Sequence, residues 1–202
     1  MEKKLTLSER KRAAIVEAAI EEFRDKGYQA VSMDSLSARA GVSKRTVYNH
    51  FDSKEALFQE IGRQLFEVSA EMTSMSYQSH IPVKDQLLDF AMREIDMLKS
   101  ERFRDLSMIL FPECIHTPEL VASTFELLGG NEQGLEVWIA AAVNDGALKD
   151  VDPAYASSQF LGLIKGCAFW PQLLQGAPVP DQQRCEQIAS DATGMFLGYY
   201  AA

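Results

Sequence analysis

Cysteine is scarce in these 202 residues. Cys114, Cys167 and Cys185 are odd in number, widely spaced and contain no CxxC pair. This excludes a disulfide framework and a zinc-ligand set, and makes buried free thiols the expected state. A redox sensor at Cys114 or Cys167 is the lesser expectation, because neither has a basic neighbour in sequence to lower a thiol pKa. Histidine is as sparse: His50, His80 and His116 stand alone. No HExxH, GxSxG, Walker loop or GxGxxG occurs, and Asp and Glu are spread along the chain rather than clustered, so no enzyme, metal or cofactor is expected. No apolar run reaches the roughly 18 residues of a membrane span, and the start MEKKLTLSERKR lacks the apolar core of a signal peptide. The expectation is a cytoplasmic protein with no membrane partner. With 47% hydrophobic and 24% charged residues, the chain is otherwise an ordinary globular one.

What is present is charge, unevenly divided. Residues 1–63 hold 12 Lys and Arg against 10 Asp and Glu, a net of +2, whereas residues 64–202 hold 8 against 19, a net of −11. Charge acts over about a Debye length, roughly 8 to 10 Å, so the local balance outweighs the total of −9. Two functional regions follow, the first suited to approach a polyanion.

The densest signal runs from Ser32 to Lys54. Ser32 caps a helix from Met33 to Ala40, which stops at Gly41, and Ser43 caps a second over about Lys44 to Phe51. Val47 and Phe51, four apart, face Leu36 and Ala40, giving two helices across a short glycine-containing turn: a helix-turn-helix. At about 100° per residue, Arg45 and Asn49 point most directly outward, with Lys44 and Tyr48 on one flank and Thr46 and His50 on the other. None of the six is acidic. Such a set suits the major groove, where Arg or Lys pairs with guanine and Asn with adenine, although a merely solubilising surface carries Lys and Arg too.

These residues also resemble a known family. Ala40-Gly41-Val42-Ser43, Thr46-Val47-Tyr48, His50-Phe51 and Lys54-Glu55-Ala56-Leu57 are similar to the signature of the tetracycline-repressor (TetR) family of transcription regulators, and Ile15, Ala18, Ala19, Phe23 and Gly27-Tyr28 match its first helix. The C-terminal half resembles the AefR-like subgroup through Phe111-Pro112-Glu113, Asp145-Gly146-Ala147-Leu148 and Gln159-Phe160-Leu161-Gly162-Leu163. The resemblance implies base contacts by Lys44, Arg45 and Tyr48, and phosphate contacts by Ser32, Thr46, Asn49, His50 and Lys54, with the cap Ser43 beside them. It differs from the angular argument over Asn49, and position 45 is favoured by both.

The remaining punctuation predicts an all-α chain of about nine helices: a three-helix DNA-binding domain, residues 1–52, and a larger helical effector-binding and dimerisation domain, residues 53–202. Ser8 opens the first helix, and the basic residues before and within it, Lys3 to Arg12, form either a solvated helix start or an arm reaching phosphates. Asp52 with Glu55 forms a capping box for a long helix through Val68, a candidate lever. Pro82 sits in the first turn of a helix through Ser100, and a further helix from Phe103 closes at Pro112. Thr117 caps the next, with Pro118 at its first position; Gly129-Gly130 and Gly134 loosen it before Leu135 to Val143. Asp152-Pro153 opens a helix reaching Trp170, and Asp181 another reaching Tyr200.

Glycine costs a helix about 1 kcal/mol relative to alanine, so Gly162 with Gly166 and Gly194 with Gly198 mark faces approached closely by another helix. Packing within one subunit is one reading. The other is a homodimer interface, since the family pairs its last two helices across a two-fold axis. Met108, Phe111, Phe125, Trp138, Phe160, Phe169 and Trp170 are either core or the lining of a pocket for a small hydrophobic or aromatic effector. Two functions therefore stand side by side: a ligand-responsive repressor that binds a double-stranded palindromic operator as a homodimer, and a DNA-binding dimer whose second domain is only structural or partner-binding.

Overall fold

The computed structural model describes residues 6–127 and 134–202. Its helices are α1 (Leu7–Lys26), α2 (Met33–Arg39), α3 (Lys44–Tyr48), α4 (Lys54–Thr73), α5 (Val83–Lys99), α6 (Glu101–His116), α7 (Pro118–Leu127), α8 (Gly134–Asn144), α9 (Pro153–Ala168), α10 (Trp170–Gln175) and α11 (Gln182–Tyr200). The all-α class is as expected, and no strand occurs among the described residues. Packing divides the chain into two compact units. One comprises the described residues of Met1–Phe66 and Asp105–Gly130, the other Glu67–Arg104 and the described residues of Asn131–Ala202. Residues of α4 and of α6 are shared between the two units.

In the first unit, Ile15, Ala19 and Phe23 of α1, Leu36 of α2 and Val47 of α3 share one apolar core with Leu57, Phe58 and Ile61 of α4, Leu106 and Ile109 of α6, and Leu120 of α7. α1 with the short α2 and α3 alone buries too little surface, so α4, α6 and α7 complete the core. Helix α1 begins two residues earlier than Ser8 suggested. Thr6 and Glu9 form a reciprocal capping box, with the Glu9 amide donating to Thr6 Oγ1 and the Thr6 amide to Glu9 Oε2. At α4 the cap is Ser53 rather than Asp52, its hydroxyl accepting from the Ala56 amide. Helix α6 passes through Pro112 instead of closing there, and the Thr117 hydroxyl donates to Glu113 rather than capping α7. Glu113, the residue after the proline, accepts from Thr117 and also from Gln29.

In the second unit α11 packs on α5 and α9, and α8 on α9. Phe160 of α9 lies 6.2 Å from Phe90 of α5 and 5.1 Å from Phe196 of α11, ring to ring. Gln86 of α5 ties down the segment before it: its Nε2 donates to the carbonyls of Gln78 and Ile81, and its Oε1 accepts from the Gln78 amide and the Trp138 indole. Pro82 caps α5 from outside its first turn. The Asp145–Leu148 turn uses Gly146 at φ 75° and pairs Leu148 with Ala201. Helix α9 stops at Ala168, short of the expected Trp170. Pro171 offers no amide to the Cys167 carbonyl, and Phe169, at φ −133°, breaks the path before α10. Gly129 and Gly130 lie outside the described residues.

Candidate nucleic-acid interface

The α2–turn–α3 unit is built by short-range capping. The Ser32 hydroxyl accepts from the Ser35 amide while the Ser35 hydroxyl accepts from the Ser32 amide, both at 3.2 Å. Gly41, at φ 64°, makes a turn that a β-carbon would strain, and the Val42 amide returns to the Ser37 carbonyl. Ser43 Oγ accepts from the Thr46 amide at 3.1 Å and lies 2.8 Å from Thr46 Oγ1. Helix α3 is shorter than the expected Lys44 to Phe51: it ends at Tyr48, and the His50 amide bonds the Val47 carbonyl in a tighter turn. Val47 and Phe51 are buried; Lys44, Arg45, Tyr48 and Asn49 are exposed, and Thr46 and His50 half-buried. Arg45 and Asn49 are thus exposed as angular placement expects, but the two flanks differ, Lys44 and Tyr48 being more open than Thr46 and His50. Arg45 has no ion-pair partner among the described residues.

Two buried carboxylates hold this unit on its support. Glu22 of α1 accepts from Lys26 at 2.8 Å and from Arg39 of α2 at 2.8 Å. The Lys26 hydrogen bond leads the effects that lower its pKa, against the cost of burial. Glu60 of α4 lies between Arg12 of α1 and Arg63. Burial opposes its ionisation, but the two guanidiniums outweigh that and hold it at about 2. The Arg12 guanidinium also covers the Phe51 ring at 4.8 Å.

Two candidates are already engaged. Lys44 Nζ lies 2.6 Å from Asp34 of α2, and this contact raises the lysine pKa. Lys54, the first residue of α4, donates to the Tyr28 carbonyl at 2.9 Å and the Gln29 carbonyl at 3.4 Å, over the Tyr28 ring at 4.3 Å. Sequence reasoning missed Asp34, although it lies in the first turn of α2. Lys3 and Lys4 of the candidate arm lie outside the described residues.

The aromatic set is divided between the two units. Met108 is exposed and Phe111 half-buried, both on α6 in the first unit; Phe125 lies on α7, with its side chain outside the described residues. The other four belong to the second unit. Trp138, Phe160 and Phe169 are buried, the Trp138 indole donating to Gln86 at 3.0 Å and Phe169 meeting Phe103 at 5.8 Å, whereas Trp170 is exposed. The glycines, by contrast, share a condition. A β-carbon at Gly162, Gly166, Gly194 or Gly198 would meet nothing within 4 Å, so none accommodates a helix of its own subunit. Around them Tyr155, Met195 and Tyr199 are exposed and, with Gly162 and Leu163, line an open groove on α9 and α11. The thiols differ from expectation: only Cys185 is buried, Cys114 and Cys167 being exposed at helix surfaces. No group of three or more His, Cys, Asp or Glu among the described residues is placed to hold a metal, and no described helix is long and apolar enough to cross a membrane.

Residues 15–61 match the description "Bacterial regulatory proteins, tetR family", and residues 85–202 match "AefR-like transcriptional repressor, C-terminal domain". The chain is similar to the crystal structure of a TetR family transcriptional regulator from Pseudomonas syringae pv. tomato str. DC3000, with 40% identity over 98% of each chain and a TM-score of 0.84. It is also similar to the flavonoid-responsive regulator FrrA, with 27% identity over 95% of this chain and 97% of that one, and a TM-score of 0.76. The HTH-type transcriptional regulator YhgD of Bacillus subtilis (strain 168) is 25% identical over 159 residues, 77% of this chain and 81% of that protein.

Proposed function

The chain belongs to the TetR family of transcriptional regulators, with that family's helix-turn-helix DNA-binding domain, and from this premise we propose a homodimeric repressor of a palindromic operator. Each α3 enters the major groove of one half-site, the two being about one helical turn or a little more apart. The observation that carries this reading is the acid-free outer face of α3, with Arg45, Tyr48 and Asn49 exposed on a backbone fixed by the Ser43 cap. Lys44, Arg45 and Tyr48 address bases; Ser32, Thr46, Asn49, His50 and Lys54 address phosphates. The open glycine face of α9 and α11 is the dimer contact.

A small hydrophobic or aromatic effector releases the operator. Support comes from the aromatic content of the second unit and from FrrA, a relative named for its response to flavonoids. An effector that favours a wider-set dimer weakens operator binding by the same factor that the operator weakens the effector, with α4 as the lever. A second reading, a purely structural module, is favoured by one observation: Trp138, Phe160 and Phe169 are already packed. Operator selection from a randomised duplex library tests the DNA reading, which fails if no duplex is enriched. Thermal shift with a panel of flavonoids and other aromatic compounds separates the two readings. An effector raises the melting temperature and releases the selected duplex; a panel that stabilises nothing leaves the structural module.

A further inference from the structure

Glu113 belongs to the Phe111-Pro112-Glu113 motif, to which operator binding assigns no role. Its side chain is buried at 4% exposure, and no ion-pair partner faces it among the described residues. Two neutral donors satisfy it instead: Gln29 Nε2 at 2.9 Å and Thr117 Oγ1 at 2.6 Å, both to Oε2. Gln29 Nε2 also donates to Thr117 Oγ1 at 2.9 Å, closing a three-membered ring of hydrogen bonds. A buried carboxylate is costly to leave unsatisfied, so Gln29 is gripped firmly.

Gln29 is held at its other end as well. Its backbone carbonyl, with that of Tyr28, receives the Lys54 ammonium. Two of the ammonium's three donors are thereby committed to these carbonyls, and the Tyr28 ring lies 4.3 Å from Nζ, so the position of the ammonium is set by this loop. One exposed loop residue therefore connects the end of α6 and the start of α7 to the first residue of α4. We propose that Glu113 is a positioning residue for DNA binding: through Gln29 it fixes the two carbonyls that orient Lys54 toward the phosphate backbone. The contribution is independent of base sequence, because Lys54 addresses phosphate. Displacement of the end of α6 is then transmitted to the DNA contact through Gln29. This rests on the operator-binding reading above.

The test is a double-mutant cycle on the full-length protein, using the duplex it selects from a randomised library and a random-sequence duplex as probes. Gln29→Ala is the primary variant because the side chain is exposed and its loss leaves the core intact; Glu113→Ala is the second, with Glu113→Gln as the conservative rescue. Gln29→Ala and Glu113→Ala are expected to weaken binding to both duplexes by about three- to tenfold, and Glu113→Gln, which keeps an acceptor oxygen, by less. In a Lys54→Ala background the same changes are expected to have no further effect, and the salt slope stays that of Lys54→Ala alone. Wild-type affinity for Gln29→Ala, or an undiminished loss in the Lys54→Ala background, overturns the proposal. If Glu113→Ala does not fold, Gln29→Ala alone decides. Failure of the wild-type chain to select any duplex would instead overturn the DNA reading, which keeps the two outcomes separate.

Discussion

The two faces through which this chain is proposed to meet a partner are built by opposite means. On α3 the surface is made of long side chains, Lys44, Arg45, Tyr48 and Asn49, projecting from a five-residue helix that hydroxyl caps hold in shape. On α9 and α11 the surface at Gly162, Gly166, Gly194 and Gly198 is backbone, laid bare where side chains are missing. The first suits a charged, grooved partner that must be read at a distance. The second suits close approach by a surface of like shape, where contact depends on fit rather than charge. Salt should therefore separate them: DNA affinity falls steeply with the logarithm of salt concentration, whereas an apolar helix contact changes little.

The largest effect comes from filling the backbone face. Gly194→Leu leaves the subunit folded, since nothing lies within 4 Å of the added β-carbon, but obstructs the paired helices. Sedimentation equilibrium should show a monomer, and operator affinity should fall by about 100-fold or more as the two half-sites cease to act together. An unchanged dimer would remove this face from the account. Next is the support under α3. Glu60→Gln removes the charge shared by Arg12 and Arg63, at a cost of about 1–3 kcal/mol in urea unfolding. The pH dependence follows in sign. The folded pKa of Glu60, about 2, lies below the unfolded carboxylate value of about 4.3, so its contribution is present at neutral pH and lost as pH falls from about 4 toward 2. Glu22, also lowered, adds in the same direction. Thermal melts at pH 7 and pH 3 should differ less for Glu60→Gln than for the parent chain. The smallest effect belongs to Asp34, which pairs with Lys44 on the DNA side. Asp34→Asn should tighten binding to all duplexes by about twofold and steepen the salt slope, through the negative charge it removes; tightening confined to one operator position would instead report Lys44 released to its base.

Much of the head was legible because its signals are local. Ser32, Gly41 and Ser43 act within four residues, and Val47 and Phe51 disclose their face by spacing alone. The caps that differ from expectation are local too: Thr6 and Glu9 spell a capping box two residues before Ser8, and Ser53 stands beside Asp52. What could not be read were contacts between distant residues. Glu22 and Glu60 look like surface acids until Arg39, 17 residues away, and Arg12, 48 away, are brought to them. Gln29 meets Glu113 across 84 residues. The aromatic set shows a further limit, because hydrophobicity marks a ring for burial without saying whether core or ligand will cover it. For the glycines, spacing marked a bare face, and only the packing of α9 and α11 showed that the subunit leaves it uncovered.

The proposed function turns on whether α3 reads base sequence through Arg45. Its most direct test is the affinity of the parent chain and Arg45→Ala across a randomised duplex library at one fixed salt concentration. Preference should be lost at one position, repeated symmetrically in both half-sites, at a cost of about 1–3 kcal/mol there, with other positions unchanged. Equal losses on every sequence would contradict that reading, and would give Arg45 the phosphate role proposed for Lys54.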